Sequence, residues 1–301
     1  MLNEDIIMHI ISYVVSPSLK LKDFIQHIQI SGYQNNHKIR YAFMSKNINA
    51  VQILETVDIE LINWYCLSKN PNAVRILEKN YDKINWSSIS LNPNAIHIIS
   101  KNIDKLDWFN IVVNSNAVTL IQENMRMIER HIARLSLNSS PLIMRYLENN
   151  PDKINWCYLS CNQSAISILE KNQELIDWFS ISENPNAIGL IEKNLDKIDW
   201  DMLCLNPSAM HLLEKNINKI NWSLLSENPS AIYLLEQNID KINWFHLCLN
   251  KNAIHIIEKN VNNINKMKTN SHLFSNQNIF ECESHKMLTD KVKNIMKILK
   301  I

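Results

Sequence analysis

The stretch NPNAIGLIEKNLDKIDW, residues 184–200, represents a unit that recurs along most of the chain. A tryptophan ends each clear copy, and successive tryptophans lie 22 residues apart except across one gap of 48 residues. They are Trp64, Trp86, Trp108, Trp156, Trp178, Trp200, Trp222 and Trp244. A fixed period between about 20 and 50 residues is typical of arrays in which each unit packs on its neighbours. The spacing therefore predicts a repeat protein.

Each unit follows the consensus N-P-N-A-I-x-L-L-E-K-N-x-D-K-I-N-W-x-x-L-S-x, whose residues we number as positions 1 to 22. Ten units begin at Asn47, Asn70, Asn92, Asn114, Asn138, Asn162, Asn184, Asn206, Asn228 and Asn250. Apolar residues at positions 4, 5, 7 and 8 have the spacing of one helical face, and proline at position 2 fits the first turn of a helix. Asparagine at position 1 and asparagine or aspartate at position 16 are favourable N-caps. Each unit is thus predicted to be a helical hairpin.

These hairpins predict an all-α fold, an α-solenoid of about ten 22-residue repeats over residues 46–265 with helical caps at both ends. Hairpins this short bury their apolar faces only by stacking, and we expect the tryptophan at position 17 to be buried in the stack. A leucine-rich repeat, which contains strands, has a similar period. Proline at position 2 and the missing L-x-L alternation favour the helical alternative.

Asparagine is abundant in this chain and glycine is scarce. There are 43 asparagines and only two glycines, Gly32 and Gly189. Phosphate-binding loops and dinucleotide folds depend on glycine, so both classes of enzyme are excluded. Asparagine occupies position 11 in every unit after the first, where a helix ends and a left-handed residue is common. We therefore expect these asparagines to have a positive φ, and glycine in place of Asn194 or Asn216 to be nearly neutral.

The bulk composition is that of a folded cytoplasmic protein, with 46% hydrophobic residues and a net charge of +1. A net charge so close to zero produces no field that attracts nucleic acid, which makes nucleic acid an unlikely partner. The six cysteines form no disulfide framework, which favours a reducing compartment. Acidic residues precede a short apolar stretch near the N-terminus, so neither a signal peptide nor a membrane anchor is expected.

The sequence contains no recognisable catalytic or metal-binding motif. It lacks HExxH, paired-cysteine zinc spacing and a phosphate-binding loop. Carboxylates at positions 9 and 13 recur in nearly every unit, as scaffold residues do and as the residues of a single active site do not. We therefore predict a protein that is not an enzyme and that uses no metal, cofactor or small-molecule substrate.

Positions 6, 18 and 19 vary between units, whereas the scaffold positions are constant. If the variable positions face one side of the array, they form a mixed aromatic and polar strip suited to a protein partner. Drift on an unconstrained surface is the alternative interpretation. The candidate partner-binding residues are Arg75, His97, Phe109, Tyr158, Phe179, His211, Tyr233, Phe245 and His255.

The N-terminal segment, residues 1–45, does not carry the repeat. Its stretch LNEDIIMHIISY resembles the start of an F-box, although the proline usual after the first leucine is absent. The resemblance implies an adaptor that holds a Skp1-like linker of a ubiquitin ligase, and the alternative is a helix that only caps the first repeat. The residues that the resemblance implies as contacts with the linker are Ile6, Ile7, Ile10 and Ile11.

The C-terminal segment, residues 266–301, contains an irregular stretch and then a basic amphipathic helix, DKVKNIMKILKI. Basic helices of this kind bind membranes or nucleic acid in some proteins. An array of repeats needs a polar cap at each end, so a capping helix is the favoured interpretation.

The array over residues 47–265 resembles the short-repeat proteins of giant DNA viruses of the mimivirus type, because its cap, proline and tryptophan positions match that pattern. The resemblance implies a viral protein in the cytoplasm of a host cell. Ankyrin-type viral arrays joined to F-box-like segments act as substrate receptors for host ubiquitin ligases, and by analogy this agrees with the N-terminal likeness. The leading prediction is a protein-binding scaffold or adaptor, and the alternative is the ubiquitin-ligase adaptor.

Overall fold

The computed structural model describes residues 19–21, 37–266, 273 and 275–282. These residues form α-helices and short 3-10 turns at regular intervals, together with one antiparallel pair of short strands. In that pair β1 (Leu19–Leu21) lies beside β2 (Phe280–Cys282), with Lys20 opposite Glu281. Apart from these two strands the regular structure of the described residues is helical, which confirms the predicted all-α class.

Each unit contains a first helix that begins near position 5, a turn at positions 12 to 14, and a second helix that begins at position 17. The first helices are α2 (Val51–Leu54), α4 (Val74–Lys79), α6 (Ile96–Ile99), α8 (Val118–Glu123), α10 (Pro141–Asn149), α12 (Ile166–Lys171), α14 (Ile188–Glu192), α16 (Met210–Lys215), α18 (Ile232–Glu236) and α20 (Ile254–Lys259). The second helices are α3 (Trp64–Lys69), α5 (Trp86–Ile89), α7 (Trp108–Ile111), α11 (Trp156–Cys161), α13 (Trp178–Ser182), α15 (Trp200–Leu203), α17 (Trp222–Leu225) and α19 (Trp244–Leu247).

Three helices fall outside this scheme. Helix α1 (His37–Met44) precedes the first unit, and α21 (Val261–Asn265) follows α20, the first helix of the last unit. In the unit that begins at Asn114, α9 (Met125–Ile128) and a nine-residue 3-10 segment (Glu129–Leu137) stand in place of the second helix. The turns at positions 12 to 14 are 3-10 helices in seven units: Ile59–Leu61, Tyr81–Lys83, Ile103–Lys105, Pro151–Lys153, Gln173–Leu175, Ile217–Lys219 and Ile239–Lys241.

The second helix begins where the sequence predicts, because the side chain at position 16 caps it. Asn85 Oδ1, for example, accepts a hydrogen bond from the backbone N–H of Ser88 at 2.9 Å. The first helix begins later than predicted, at position 5 instead of position 2. Asn92 shows the reason, since its Oδ1 accepts from Asn94 N and its carbonyl accepts from Ala95 N. The asparagine at position 1 therefore closes a turn ahead of the helix.

The asparagine at position 11 ends the first helix, but not with the left-handed backbone that was predicted. Its φ lies between −125° and −138° in eight units, so the predicted left-handed conformation is wrong. The side chain makes the cap instead, because Asn216 Nδ2 donates to the carbonyl of Leu212, four residues earlier, at 2.9 Å. The same bond, 2.8–3.0 Å long, is made by Asn80, Asn102, Asn124, Asn150, Asn172, Asn194, Asn238 and Asn260. The amide replaces the backbone donor that the end of a helix lacks.

The tryptophans at position 17 are half-buried and not fully buried as predicted. All eight pack against the apolar core, and in four units a lysine from position 14 of the following unit lies over the ring. Lys219 Nζ, for example, is 4.1 Å from the ring centroid of Trp200. The other pairs are Lys105 with Trp86, Lys197 with Trp178 and Lys241 with Trp222. An exposed cation–π pair contributes about 0.5–1 kcal/mol, so each pair strengthens the contact between neighbouring units modestly.

Serine at position 21 joins each unit to the next through its hydroxyl group. Ser90 Oγ donates to Trp86 O at 2.8 Å and accepts from the backbone N–H of Asp107 at 3.3 Å. The same acceptance from position 16 of the following unit is seen at Ser45, Ser68, Ser136, Ser160, Ser182 and Ser226. Each of these buried serine hydroxyl groups thus has a hydrogen-bond partner in the following unit, as buried polar groups need.

The asparagine at position 1 forms a buried ladder that runs from unit to unit. Asn92 Nδ2 donates to the carbonyl of Asn70, the preceding position 1, at 2.9 Å, and to the carbonyl of Ser68 at 3.0 Å. The donation to the preceding position 1 recurs at Asn70, Asn114, Asn138, Asn162, Asn184, Asn206, Asn228 and Asn250. All of these side chains are buried. Loss of one of these hydrogen bonds would therefore leave a buried carbonyl group without a partner.

The ladder has an eleventh member, Asn276, and through it the ladder closes on itself. Asn276 Nδ2 donates to the carbonyls of Asn250 at 2.9 Å and Cys248 at 3.0 Å, as every other member does toward its predecessor. Asn47, the first member, donates in turn to the carbonyl of Asn276 at 2.5 Å. The hydrogen bonds therefore form a circuit of eleven asparagines with no free end.

The residues around this junction supply the parts of one further unit from both ends of the chain. Asn276 and Asn278 occupy positions 1 and 3, and Asn278 Nδ2 donates to the carbonyl of Lys251 in the preceding unit. Ser45 occupies position 21, because its Oγ donates to Tyr41 O and accepts from Asn63 N. The strand pair β1–β2 joins the same two segments. The two ends thus meet in a shared unit, in the regions where separate caps were predicted.

Replacing Asn216 with glycine tests the side-chain cap. The change removes the bond to Leu212 O and adds the entropic cost of glycine, so we expect a loss of about 1–2 kcal/mol in the free energy of unfolding. Asn218→Gly, in the exposed turn that follows, adds glycine without removing this bond and is expected to cost less. Urea denaturation measures both. A neutral Asn216→Gly variant would restore the left-handed interpretation.

Replacing Asn276 with alanine tests the junction. The variant leaves the buried carbonyls of Cys248 and Asn250 without donors, so we expect a loss of about 2–4 kcal/mol. It is also expected to speed amide exchange in residues 41–47. Asn278→Ser is the matched control, because serine already stands at position 3 in other units, and we expect it to cost less than about 1 kcal/mol. Thermal denaturation and hydrogen exchange by mass spectrometry distinguish the two, and equal effects of both changes contradict the closed circuit.

Candidate partner-binding surfaces

The candidate residues at position 6 lie on the first helices and are exposed. Three of them are histidines that meet a glutamate at position 9 of the preceding unit. The pairs are His97 with Glu78 at 2.9 Å, His211 with Glu192 at 2.6 Å and His255 with Glu236 at 3.0 Å. Exposed ion pairs contribute little to stability, about 0–1 kcal/mol each. The remaining two candidates at this position are Arg75 and Tyr233, of which Tyr233 is 69% exposed.

The candidate residues at position 18 lie on the second helices. Phe109 and Phe179 are 46% and 57% exposed, and Tyr65, at the same position of the first unit, is 53% exposed. Phe245 is half-buried, as is Tyr158 at position 19. Each exposed ring therefore extends from a short helix whose opposite side packs in the core, which leaves the ring a fixed base and an accessible face.

Phe109 is held in place by two side chains of the irregular 3-10 segment. The guanidinium carbon of Arg134 lies 3.7 Å from the ring centroid, and Arg134 Nε donates to the carbonyl of Phe109 at 2.9 Å. The imidazole of His131 meets the ring edge-on at 5.5 Å between centroids. Both residues come from the irregular 3-10 segment, so this segment has a role in positioning one candidate side chain.

The candidates at position 6 and those at positions 18 and 19 form two separate rows along the array, one on each layer of helices. Several neighbouring second helices, such as α3 with α5 and α11 with α13, pack against each other more extensively than neighbouring first helices do. In a curved array the more closely spaced layer is the inner one, because the same number of units covers a shorter arc. The aromatic residues at position 18 are therefore on the inner layer, and the residues at position 6 are on the outer layer.

A third set of exposed residues lies at position 12, which was not among the predicted candidate positions. This position is apolar and exposed in six units, at Ile59, Tyr81, Ile103, Leu195, Ile217 and Ile239. A signal was present, because an apolar residue recurred immediately after the helix-ending asparagine. It was overlooked because a surface turn is ordinarily polar.

The cysteines differ in burial and therefore in acidity. Burial raises the pKa of the Cys248 thiol to about 12. Burial also raises the pKa of the Cys204 thiol, and the N–H group of Asn221 partly offsets that rise. Both occupy position 21, where serine is usual, which agrees with a packing role. Cys157, by contrast, is exposed and lies with its Sγ 3.4 Å from Ser180 Oγ.

Two further features concern only the part of the chain that the structure describes. In it, no cluster of three or more histidine, cysteine, aspartate or glutamate side chains has the arrangement of a metal site. In the same residues, no helix combines the length and the apolar character needed to cross a bilayer. The F-box-like residues Ile6, Ile7, Ile10 and Ile11 lie outside the described residues, as does the basic C-terminal helix, so their roles stay predictions.

Alkylation rates test the burial of the cysteines. A thiol with a pKa of about 12 is ionised to only about one part in 10⁴ at pH 8, and the thiolate is the reactive form. We therefore expect iodoacetamide to modify Cys157 at least about 100-fold faster than Cys248 in the folded protein. Peptide mass spectrometry over a time course gives both rates. In denaturant the rates are expected to converge, and a fast native rate at Cys248 contradicts its buried position.

The comparisons with known proteins add no relative from which a function could be transferred. No family model, no curated protein and no solved structure matches the chain.

Proposed function

We propose that this chain is a protein-binding scaffold, built as a closed ring of eleven helical-hairpin units with an aromatic contact surface on its inner layer. The observation that carries the proposal is the exposure of Tyr65, Phe109 and Phe179 at the same position of different units. Exposed aromatic residues on a rigid base are typical anchors of protein interfaces, because they bury a large area at little cost in conformational entropy.

The ring supports this role by holding the anchors in place. Position 18 follows a tryptophan that packs in the core and precedes a buried aliphatic residue at position 20. The backbone beneath each anchor is also tied to its neighbours through the serine and asparagine hydrogen bonds. A preorganised surface loses less entropy on binding than a flexible one, which favours affinity.

The chemistry around the anchors favours a polypeptide partner. Asp201 and Ser87 share position 18 with the aromatic residues, and Asn110 lies beside Phe109, so apolar anchors alternate with hydrogen-bonding groups. The net charge of +1 gives the chain no overall field that would attract nucleic acid. The partner we propose is a protein segment with apolar side chains spaced to meet successive units.

A peptide-display selection against the purified full-length protein tests this proposal. We expect it to enrich peptides with regularly spaced apolar residues, and we expect Phe109→Ala/Phe179→Ala to weaken the best peptide at least about tenfold in fluorescence polarisation. The matched control is Leu142→Ala/Tyr233→Ala, which removes two similarly exposed apolar side chains from the first helices. If only the control variant loses binding, the site lies on the outer layer. If both variants bind the peptide as well as the wild-type protein does, neither set of candidate residues forms the site.

The ubiquitin-ligase adaptor, the viral origin and the cytoplasmic location stay predictions. Removing residues 1–45 is an unsuitable test of the adaptor, because Tyr41 and Ser45 belong to the junction between the chain ends. Point changes, Ile6→Ser/Ile7→Ser, leave that junction in place. The adaptor prediction requires the wild-type protein, and not this variant, to retain a Skp1-like linker in a binding assay.

A further inference from the structure

The turns at positions 12 to 14 form one edge of the array, which we call the turn edge, and this edge holds most of the exposed apolar surface. Thirteen large hydrophobic side chains are exposed among the described residues. Seven of them, 37–50% exposed, lie on the turn edge, and Met127 of α9 lies across a groove from Ile103; the seven are Ile59, Tyr81, Ile103, Leu175, Leu195, Ile217 and Ile239. A concentration of this kind marks an interaction surface, whereas scattered apolar residues need no explanation.

The opposite edge, formed by positions 22 to 3, has a different character. Its exposed residues at position 3 are asparagine or serine, and the asparagines are engaged in hydrogen bonds. Asn94 Nδ2, for example, donates to the carbonyl of Pro71 at 3.0 Å. None of the thirteen exposed apolar side chains belongs to positions 22 to 3 of the described units. Only the turn edge is therefore suited to an apolar contact.

The charges of the turn edge are balanced and alternate in sign. Aspartate at position 13 precedes lysine at position 14 in five units, which contain Asp82–Lys83, Asp104–Lys105, Asp152–Lys153, Asp196–Lys197 and Asp240–Lys241. All five aspartates are exposed, and several of the lysines are held in place over a tryptophan ring. In an isologous contact the two-fold axis reverses the direction of the edge, so an aspartate–lysine pair of one copy can face a lysine–aspartate pair of the other.

We propose that the turn edge is a self-association surface, on which a second copy of this chain sits edge to edge. The period of the surface carries the argument. The asparagine hydrogen bonds at position 1 recur from unit to unit, so the apolar side chains of the regular units recur along the edge at a similar spacing. A second copy has that same spacing, so its apolar residues, aspartates and lysines can meet those of several regular units at once.

The edge also has depressions that an apolar side chain can enter. A groove of about 530 Å³ lies between Ile103 and Met127, with Trp108 among its lining residues. Isoleucine or leucine at position 12 of the partner has a suitable size and polarity for this groove. Removal of several such apolar side chains from water is the driving force.

This proposal does not rest on the proposed function. Self-association uses the turn edge and leaves the inner layer, with Phe109 and Phe179, accessible to another protein. Either can therefore fail without the other.

Sedimentation velocity of the purified full-length protein tests the proposal. The chain has a mass of 35.2 kDa, so we expect a species of twice that mass at micromolar concentration. Ile217→Glu/Ile239→Glu adds four charges to each pair of edges and is expected to raise the dissociation constant at least about 100-fold. Ser208→Glu/Ser230→Glu, on the opposite edge, is the matched control with the same added charge and is expected to leave it unchanged.

If the wild-type protein remains monomeric at concentrations up to about 100 μM, the proposal is overturned. This holds even if the exposed apolar edge binds something else, such as lipid vesicles. Equal dissociation by both double variants also overturns it, because the effect then follows charge and not the edge. Circular dichroism shows whether each variant is folded. If Ile217→Glu/Ile239→Glu unfolds, Ile217→Asn/Ile239→Asn takes its place, and a folded variant that remains dimeric rejects the turn edge.

Discussion

The buried amide at position 1 is the interaction on which the other contacts depend. Through Oδ1 it closes its own turn, and through Nδ2 it supplies donors to two carbonyls next to it in the array, as Asn92 does for Asn70 and Ser68. Those carbonyls are away from water, and a buried acceptor without a partner costs about 1–3 kcal/mol. Aspartate has no donor and serine has too short a side chain, so asparagine alone meets both demands.

Asparagine has a second, independent role at position 11, and together the two roles explain why the chain needs so little glycine. A helix that ends in glycine uses a left-handed backbone to satisfy its last carbonyl groups. Here φ stays negative, and the amide of Asn216 reaches back to Leu212 instead. The backbone then continues directly into the 3-10 turn and on to position 16, where another side chain starts the second helix.

Much of the fold follows from the sequence, and the parts that do not follow have physical reasons. The period, the hairpin units and the cap at position 16 were predictable because each depends on neighbouring residues. The conformation at position 11 was not, because asparagine is suitable both for a left-handed cap and for a side-chain cap. The junction of Asn47 with Asn276 was hidden because it depends on curvature accumulated over the whole array, while the surrounding sequence is too divergent to show a repeat. The aromatic candidates at position 18 were predictable by their variation, but their separation from position 6 depends on which helices pack closest.

Closure changes how the array resists unfolding. In an open array the terminal units have one neighbour each, so they fray first and need polar caps. In the closed circuit every unit has two neighbours, and the unit at the junction is built from segments that are far apart in the sequence, near Ser45 and near Asn276. Opening at the junction requires the strand pair, the asparagine bonds and the serine bonds to break together. Because the second helices cannot spread apart without breaking this junction, the spacing of the exposed aromatic residues on them is fixed by the closed circuit itself.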